Sequence, residues 1–282
     1  MRHERFVLEN RDGDPIRGDV RRGDEVRDGG AIVVCHGFKG FKDWGFFPYV
    51  SEQLATRTGY PVITFNYSGS GIGADLLNFT ELDKFEANTF SKELDDLQVV
   101  LDTAESGELP GIDGRERFGL LGHSRGGIST IITGVEDDRI GAIVTWSAVA
   151  YIDRWSEEKK EEWRREGRIE ILNTRTGQMM PLGIDTLEDY ERNKERLDLE
   201  KAAARLEVPY LIVHGTEDES VSVSAGEQLA EAAPDDTTRF SPIEGAGHTF
   251  GAVHPFEGTT DELERAIGLS ADWFAEHLTD QG

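Results

Sequence analysis

A chain of 282 residues, 37% hydrophobic and 30% charged, is long enough to bury one large core and carry an insertion. Its 55 acidic against 30 basic residues leave a formal charge of −25. That excludes nucleic acid and anionic membranes as expected partners, because phosphate contact needs dense Lys and Arg.

The polar start, residues 1–10, lacks the apolar core of a signal peptide, and no run approaches the ~18 apolar residues of a membrane span. A cytoplasmic protein is expected. Residues 6–8 and 17–20 read as leading antiparallel strands. Runs at 31–35, 61–65, 118–121, 142–146 and 210–213 are nearly all apolar and alternate with helical patterns, as parallel strands covered on both faces do. Cys35, the only cysteine, ends the first of these runs; it can form no intrachain disulfide and reads as a small core residue. Phe90, Leu94, Leu97, Leu101 and Ala104 recur at helical spacing and predict a helix that buries this face rather than lining a ligand site. Residues 151–205 break the alternation. They read as a charged helix at 156–166, a hairpin of 168–172 with 178–180, and a further helix over 187–205. Beyond them come a short strand, a helix at 224–233, a possible strand at 238–240 and a C-terminal helix.

Gly122-His123-Ser124-Arg125-Gly126 fits G-x-S-x-G and lies between the strand at 118–121 and a small-residue helix start. A strand feeding a tight turn into a helix is the geometry of a nucleophile elbow, in which the serine hydroxyl projects from the sheet top. Serine is a poor nucleophile at neutral pH and needs a base, a group to orient that base, and oxyanion donors. Asp218 follows the strand at 211–213 within His214-Gly215-Thr216-Glu217-Asp218, with Glu217 and Glu219 as rival carboxylates. His248 follows Gly245-Ala246-Gly247, a glycine-rich approach that His254, His277 and His3 lack; those three read as loop, helix and tail residues. The three candidates follow in the chain order Ser124, Asp218, His248, the order expected where such an elbow carries the nucleophile. His36-Gly37-Phe38 leaves the strand at 31–35, and His36 reads as structural rather than as a base.

On these residues the chain resembles the α/β-hydrolases, and within them the small esterases that include cinnamoyl and feruloyl esterases, with serine aminopeptidase-like hydrolases close by. The resemblance rests on His36-Gly37-Phe38, Gly122–Gly127, His214–Asp218 and Gly247-His248, and spans about residues 31–278. It implies an α/β fold with a mostly parallel central sheet, helices on both faces, and a small inserted cap. Segments 1–150 and 206–282 would form the core and 151–205 the cap. It further implies catalysis by Ser124, Asp218 and His248, with the backbone N–H groups of Phe38 and Arg125 as oxyanion hole. Two features depart from the family: the aromatic loop Phe41-Lys42-Asp43-Trp44-Gly45-Phe46-Phe47, and Asn66-Tyr67-Ser68-Gly69-Ser70-Gly71, where relatives often carry an acidic or arginine-containing glycine loop.

The expected activity is hydrolysis of a small-molecule carboxylic ester through an acyl-enzyme. An aminopeptidase or amidase would use the same triad but need a site for an amino group, for which Glu157-Glu158 or Glu161-Glu162 are candidates. A non-catalytic binding module is a third reading, which a complete triad disfavours. Candidate pocket residues are Trp44, Phe46, Trp146, Met179 and Met180, with Leu182 beside them; the aromatic loop could equally anchor the helix after it. Without H-E-x-x-H, C-x-x-C or a P-loop, no metal or other cofactor is expected. Either a monomer or a dimer fits. The scarcity of lysine, 8 against 22 Arg among the 30 basic residues, admits two readings of the acidity. One is adaptation to high salt, with activity and stability rising into the molar range; the other is an ordinary acidic soluble protein.

Overall fold

The computed structural model describes residues 1–278. Among the described residues, eight strands form one sheet. They are β1 (Arg2–Glu9), β2 (Pro15–Arg22), β3 (Gly30–Cys35), β4 (Val62–Asn66), β5 (Arg117–His123), β6 (Ile140–Trp146), β9 (Tyr210–Gly215) and β10 (Thr238–Ile243), in the order β1-β2-β4-β3-β5-β6-β9-β10. The pairs β1–β2 and β2–β4 are antiparallel and the rest parallel.

The parallel strands read as continuous apolar runs because each face has its own cover. On β3, Ala31, Val33 and Cys35 pack into one core, with Leu94, Leu97 and Leu101 of α3 (Phe90–Ser106), Ile131 of α4 (Gly126–Glu136) and Leu229 of α8 (Val223–Ala232). Ile32 and Val34 point the other way, to Phe47 and Leu54 of α1 (Phe47–Thr58) and to Leu263, Ile267 and Phe274 of α9 (Asp261–His277). Cys35 is fully buried there, and burial pushes its thiol up to about 12.

Residues 151–205 form α5 (Glu157–Glu166), a hairpin of β7 (Arg168–Asn173) and β8 (Gln178–Gly183), α6 (Ile184–Arg192) and α7 (Leu199–Ala203). The single helix expected over 187–205 is thus two. The Asn193 amide donates back to Asp189 at the end of α6, and the Asp198 carboxylate accepts from Lys201 N to cap α7. Both side chains offer the backbone an alternative to a continuous helix. Trp163 is fully buried, and its indole N–H donates to the Leu182 carbonyl. The short α2 (Leu82–Glu86) lies against β8. No described helix is long and apolar enough to cross a membrane.

Candidate active site

Every parallel strand except β4 delivers a candidate site segment at its carboxyl end, so these segments gather along one edge of the sheet. Ser124 follows β5 directly in a left-handed conformation, φ 54°, and its N–H donates to the Trp146 carbonyl of the neighbouring strand at 2.8 Å. A non-glycine residue held there is strained, and such strain gathers at functional turns. The glycines around it answer to close approach. A Cβ on Gly126 would lie 2.3 Å from the Cys35 carbonyl oxygen, and one on Gly37 would lie 3.0 Å from Ser124 Cβ.

Asp218 leaves β9 buried, at 7% exposure. Its Oδ1 accepts from the N–H groups of Ser220 and Val221, both at 2.9 Å, and its Oδ2 faces His248 Nδ1 at 2.8 Å. Burial acts to raise the carboxyl, but hydrogen bonds from His214, His248 and the Val221 N–H outweigh it and hold Asp218 well below the usual carboxylate range. An ionised carboxylate can only accept, so the proton of neutral His248 sits on Nδ1 and Nε2 is left as the basic nitrogen. Ser124 and His248 line the same cavity of about 510 Å³. Among the described residues no hydrogen bond joins them, a contact that free enzymes often leave open until substrate binds.

Two further imidazoles brace this pair. His214 Nε2 donates to the Val221 carbonyl at 2.9 Å and lies 3.5 Å from Asp218 Oδ2. His123 Nε2 donates to the His248 carbonyl at 3.0 Å, with ring centroids 4.8 Å apart. Burial, and then the neighbouring His248, push His123 down to about 3, so it stays neutral. Both flanked residues singled out in the sequence, at 214 and 123, but neither spacing nor order announced their role.

Arg125 caps α4, and its guanidinium lies against Glu93 of α3 at 3.0–3.1 Å and over the Phe90 ring at 4.1 Å. His36 is buried; its Nδ1 donates to the Gly37 carbonyl at 2.9 Å, and burial pushes it down. His254 is an exposed loop residue stacked on Trp44, its Nδ1 accepting from the Gly45 N–H at 2.9 Å.

Two cavities meet at Ser124, sharing Phe38, Ser124 and Arg154. The smaller, about 230 Å³, is walled mainly by Phe90, Ile128, Val149, Ile152, Trp155, Ile171 and Leu182, with the Tyr151 and Arg125 side chains also lining it. Phe90 therefore does line a cavity: it stands on the first turn of α3, where the helix reaches the sheet edge, while Leu94, Leu97, Leu101 and Ala104 stay in the core. The larger, on the His248 side, takes in Trp44.

The other expected pocket residues lie elsewhere. Phe46 and Trp146 are fully buried and pack on each other on the α1/α9 side of the sheet, where Trp146 Nε1 donates to Ser270 Oγ at 2.9 Å. A strand covered on both faces does not reveal from sequence which face a given residue takes. Met180 is buried in the same core as Trp163 and Ile169, and Met179, on the opposite side of β8, is 48% exposed. Glu157, Glu158, Glu161 and Glu162 stand on α5 and line neither cavity; Glu157 pairs with Lys160 and Glu162 with Lys159. Among the described residues no cluster of His, Cys, Asp and Glu has the arrangement of a metal site.

The chain is 26% identical to an uncharacterized 31.7 kDa protein of the traX-finO intergenic region of Escherichia coli, over 88% of this chain and 91% of that one. It is 28% identical to the uncharacterized peptidase YuxL of Bacillus subtilis, over 80% of this chain but only 31% of that larger protein. Among solved structures, Est1E from Butyrivibrio proteoclasticus with ferulic acid bound matches with a TM-score of 0.73, covering 97% of this chain and 99% of that one. At 19% identity that likeness speaks for the fold alone. The family model described as "Alpha/beta hydrolase family" matches residues 32–262, from β3 to the start of α9, and the chain belongs to that family.

Proposed function

We propose that this hydrolase cleaves carboxylic esters, with Ser124 as nucleophile, His248 as general base and acid, and Asp218 as the group that orients His248. The observation that carries the reading is the pairing of a strained serine at the exit of β5 with a His248 ring held by ionised Asp218 in the same cavity. In the forward step His248 Nε2 takes the Ser124 proton as the oxygen attacks the ester carbonyl, and Asp218 stabilises the resulting imidazolium. The N–H groups of Phe38 and Arg125 receive the oxyanion, each donor being worth about 2.7–4 kcal/mol. His248 then protonates the leaving alcohol, and water repeats the sequence on the acyl-enzyme. Residues 151–205 act as a cap, supplying Tyr151, Ile152, Trp155, Ile171 and Leu182 to the smaller cavity. Segments 1–150 and 206–282 form the core around it; residues 279–282 lie outside the described part.

An aminopeptidase reading is favoured by the likeness to YuxL. It needs an acceptor for a protonated amine, and among the described residues no carboxylate lines either cavity, which supports esters instead. The test is hydrolysis of p-nitrophenyl butyrate and of aminoacyl amides by wild type and Ser124→Ala. The expected result is ester turnover that falls on the order of 10⁶-fold in the variant with the fold retained. A variant that keeps wild-type turnover ends the assignment.

A further inference from the structure

The larger cavity is built from donors. Lys39, Arg154 and Arg175 line it, together with Asn173, Trp44 and His248, and among the described residues no carboxylate does, although the chain carries 55 acidic residues. Elsewhere in the chain cations are commonly paired with acids. Arg139 meets Asp102, Glu105 and Asp137, and Lys160 meets Asp153 and Glu157. The three cavity cations lean on main-chain carbonyls instead: Lys39 Nζ on Leu172 O at 3.2 Å, Arg154 on Ser220 O at 3.3 Å, and Arg175 on Lys39 O. A carbonyl accepts a hydrogen bond but neutralises no charge.

Two residues that line the cavity each bury an N–H group without a partner: the amide Nδ2 of Asn173, a residue 1% exposed, and the indole Nε1 of Trp44. A buried donor left unpaired is costly, and a wall that holds two of them behind three unneutralised cations is short of acceptor oxygens. Arg175 is exposed as a residue, yet its guanidinium lies over the Trp44 ring at 5.1 Å and burial holds it below its ordinary value. Burial, and then the Arg175 charge, do the same to Lys39. The two cations crowd each other where an anion would relieve both.

The side of the reaction follows from His248. The ring that protonates the leaving alcohol lines the larger cavity and not the smaller one. Accepting the ester reading above, we infer that the preferred substrates are esters whose alcohol part carries an oxyanion, a carboxylate or a phosphate, held by Lys39, Arg154 and Arg175. The acyl part occupies the apolar cavity. Guanidinium forks suit both oxyanions, since each offers two oxygens in a plane.

The test pairs 4-(butanoyloxy)benzoate and 4-(butanoyloxy)phenyl phosphate with the neutral 4-(butanoyloxy)benzamide, each rate normalised to its alkaline hydrolysis. Binding of 4-hydroxybenzoate, 4-hydroxyphenyl phosphate and 4-hydroxybenzamide to the Ser124→Ala protein is measured by calorimetry. We expect at least one anion to be favoured over the neutral compound about tenfold or more in kcat/KM and in affinity, as for a hydrogen bond to a charged group. The preference should shrink between about 0.05 and 0.5 M NaCl. Arg175→Gln and Arg154→Gln should each lower the anion-to-neutral ratio several-fold, Arg175→Lys should restore part of it, and Arg168→Gln, on the same hairpin but outside the cavity, should leave it unchanged. Equal binding and turnover of anionic and neutral compounds, or a ratio indifferent to both glutamine variants, overturns the inference while Ser124-dependent ester hydrolysis stands. Anion binding without hydrolysis of any ester keeps the site and removes the esterase reading.

Discussion

The two cavities that meet at Ser124 are made in opposite ways. The apolar one is bounded by side chains whose main work is packing: Phe90 on α3, Ile128 on α4, and Leu182 on β8, at 2%, 3% and 4% exposure. The donor-rich one is bounded largely by turns: residues 37–40 after β3, 174–175 between β7 and β8 beside Asn173 at the end of β7, and 248–249 after β10. One wall is set by the core and resists change; the other hangs on loops, where charge can be altered without disturbing the fold. Substitutions on the two sides should therefore fail differently.

After the loss of Ser124 itself, the largest expected effect is on the polar side. Asp218→Asn keeps an oxygen for the Ser220 and Val221 N–H groups but presents an amide N–H₂ to His248 Nδ1, which favours the tautomer with its proton on Nε2. Turnover should drop roughly 10⁴-fold, by a similar factor for every ester whatever its acyl chain. Steady-state kinetics over an acyl series checks this, and a loss that varied strongly with chain length would place Asp218 in substrate selection.

On the apolar side the loss should be selective and smaller. Leu182→Trp adds bulk to a cavity of about 230 Å³. We expect butyryl and longer esters to lose roughly 10–200-fold in kcat/KM relative to acetyl esters, the range that a methylene or two commands in a shaped pocket. A uniform loss across the series would mean that the acyl group lies elsewhere. Circular dichroism and melting of the variant control for damage to the Trp163 packing beside it.

How much of this could be read from the residues alone follows the same division. The sheet was legible because residues 31–35, 118–121 and 142–146 are apolar on both faces, and only a parallel strand under two layers of helices requires that. The tight turn at Ser124 was legible from its glycines, and the meeting of Asp218 with His248 from their order and their glycine- or strand-end settings. Of the pocket walls only Trp44 and Leu182 were. The side of the sheet that Trp146 takes depends on register, which a doubly covered strand conceals, and Met180 answers to Trp163 rather than to a ligand. Lys39, Arg154 and Arg175 are far apart in the chain, and only the hairpin reaching back to the loop after β3 brings Arg175 to the Lys39 carbonyl. The break in the helix expected at 187–205 lay in Asn193 and Asp198, whose capping habit the apolar spacing masks.

The smallest effect is one of stability, and it separates the two sides by sign. On the polar side Asp218 is held low, so its contribution is present above the ordinary carboxylate pKa of about 3.9 and is lost only as pH falls toward the folded value. On α3, the helix that brings Phe90 to the apolar side, Asp96 is fully buried, accepting from Ser68 N at 2.7 Å and Asn10 Nδ2 at 3.2 Å. Burial pushes it up to about 6, against the pull of those hydrogen bonds. Between about 3.9 and 6 the folded chain therefore holds a proton that the unfolded chain has lost, and stability contributed by Asp96 falls as pH rises through that window. Two pKa units correspond to roughly 3 kcal/mol. Because the many surface carboxylates add a pH dependence of their own, the informative quantity is the wild-type curve minus that of Asp96→Asn, taken from urea midpoints at pH 4.5, 5.5 and 7. The difference should drift by about 1–3 kcal/mol against wild type toward higher pH and level off above 6. A difference that stays flat over that range would mean that Asp96 is already ionised throughout, stabilised by the Ser68 N–H and Asn10 beyond what its burial costs.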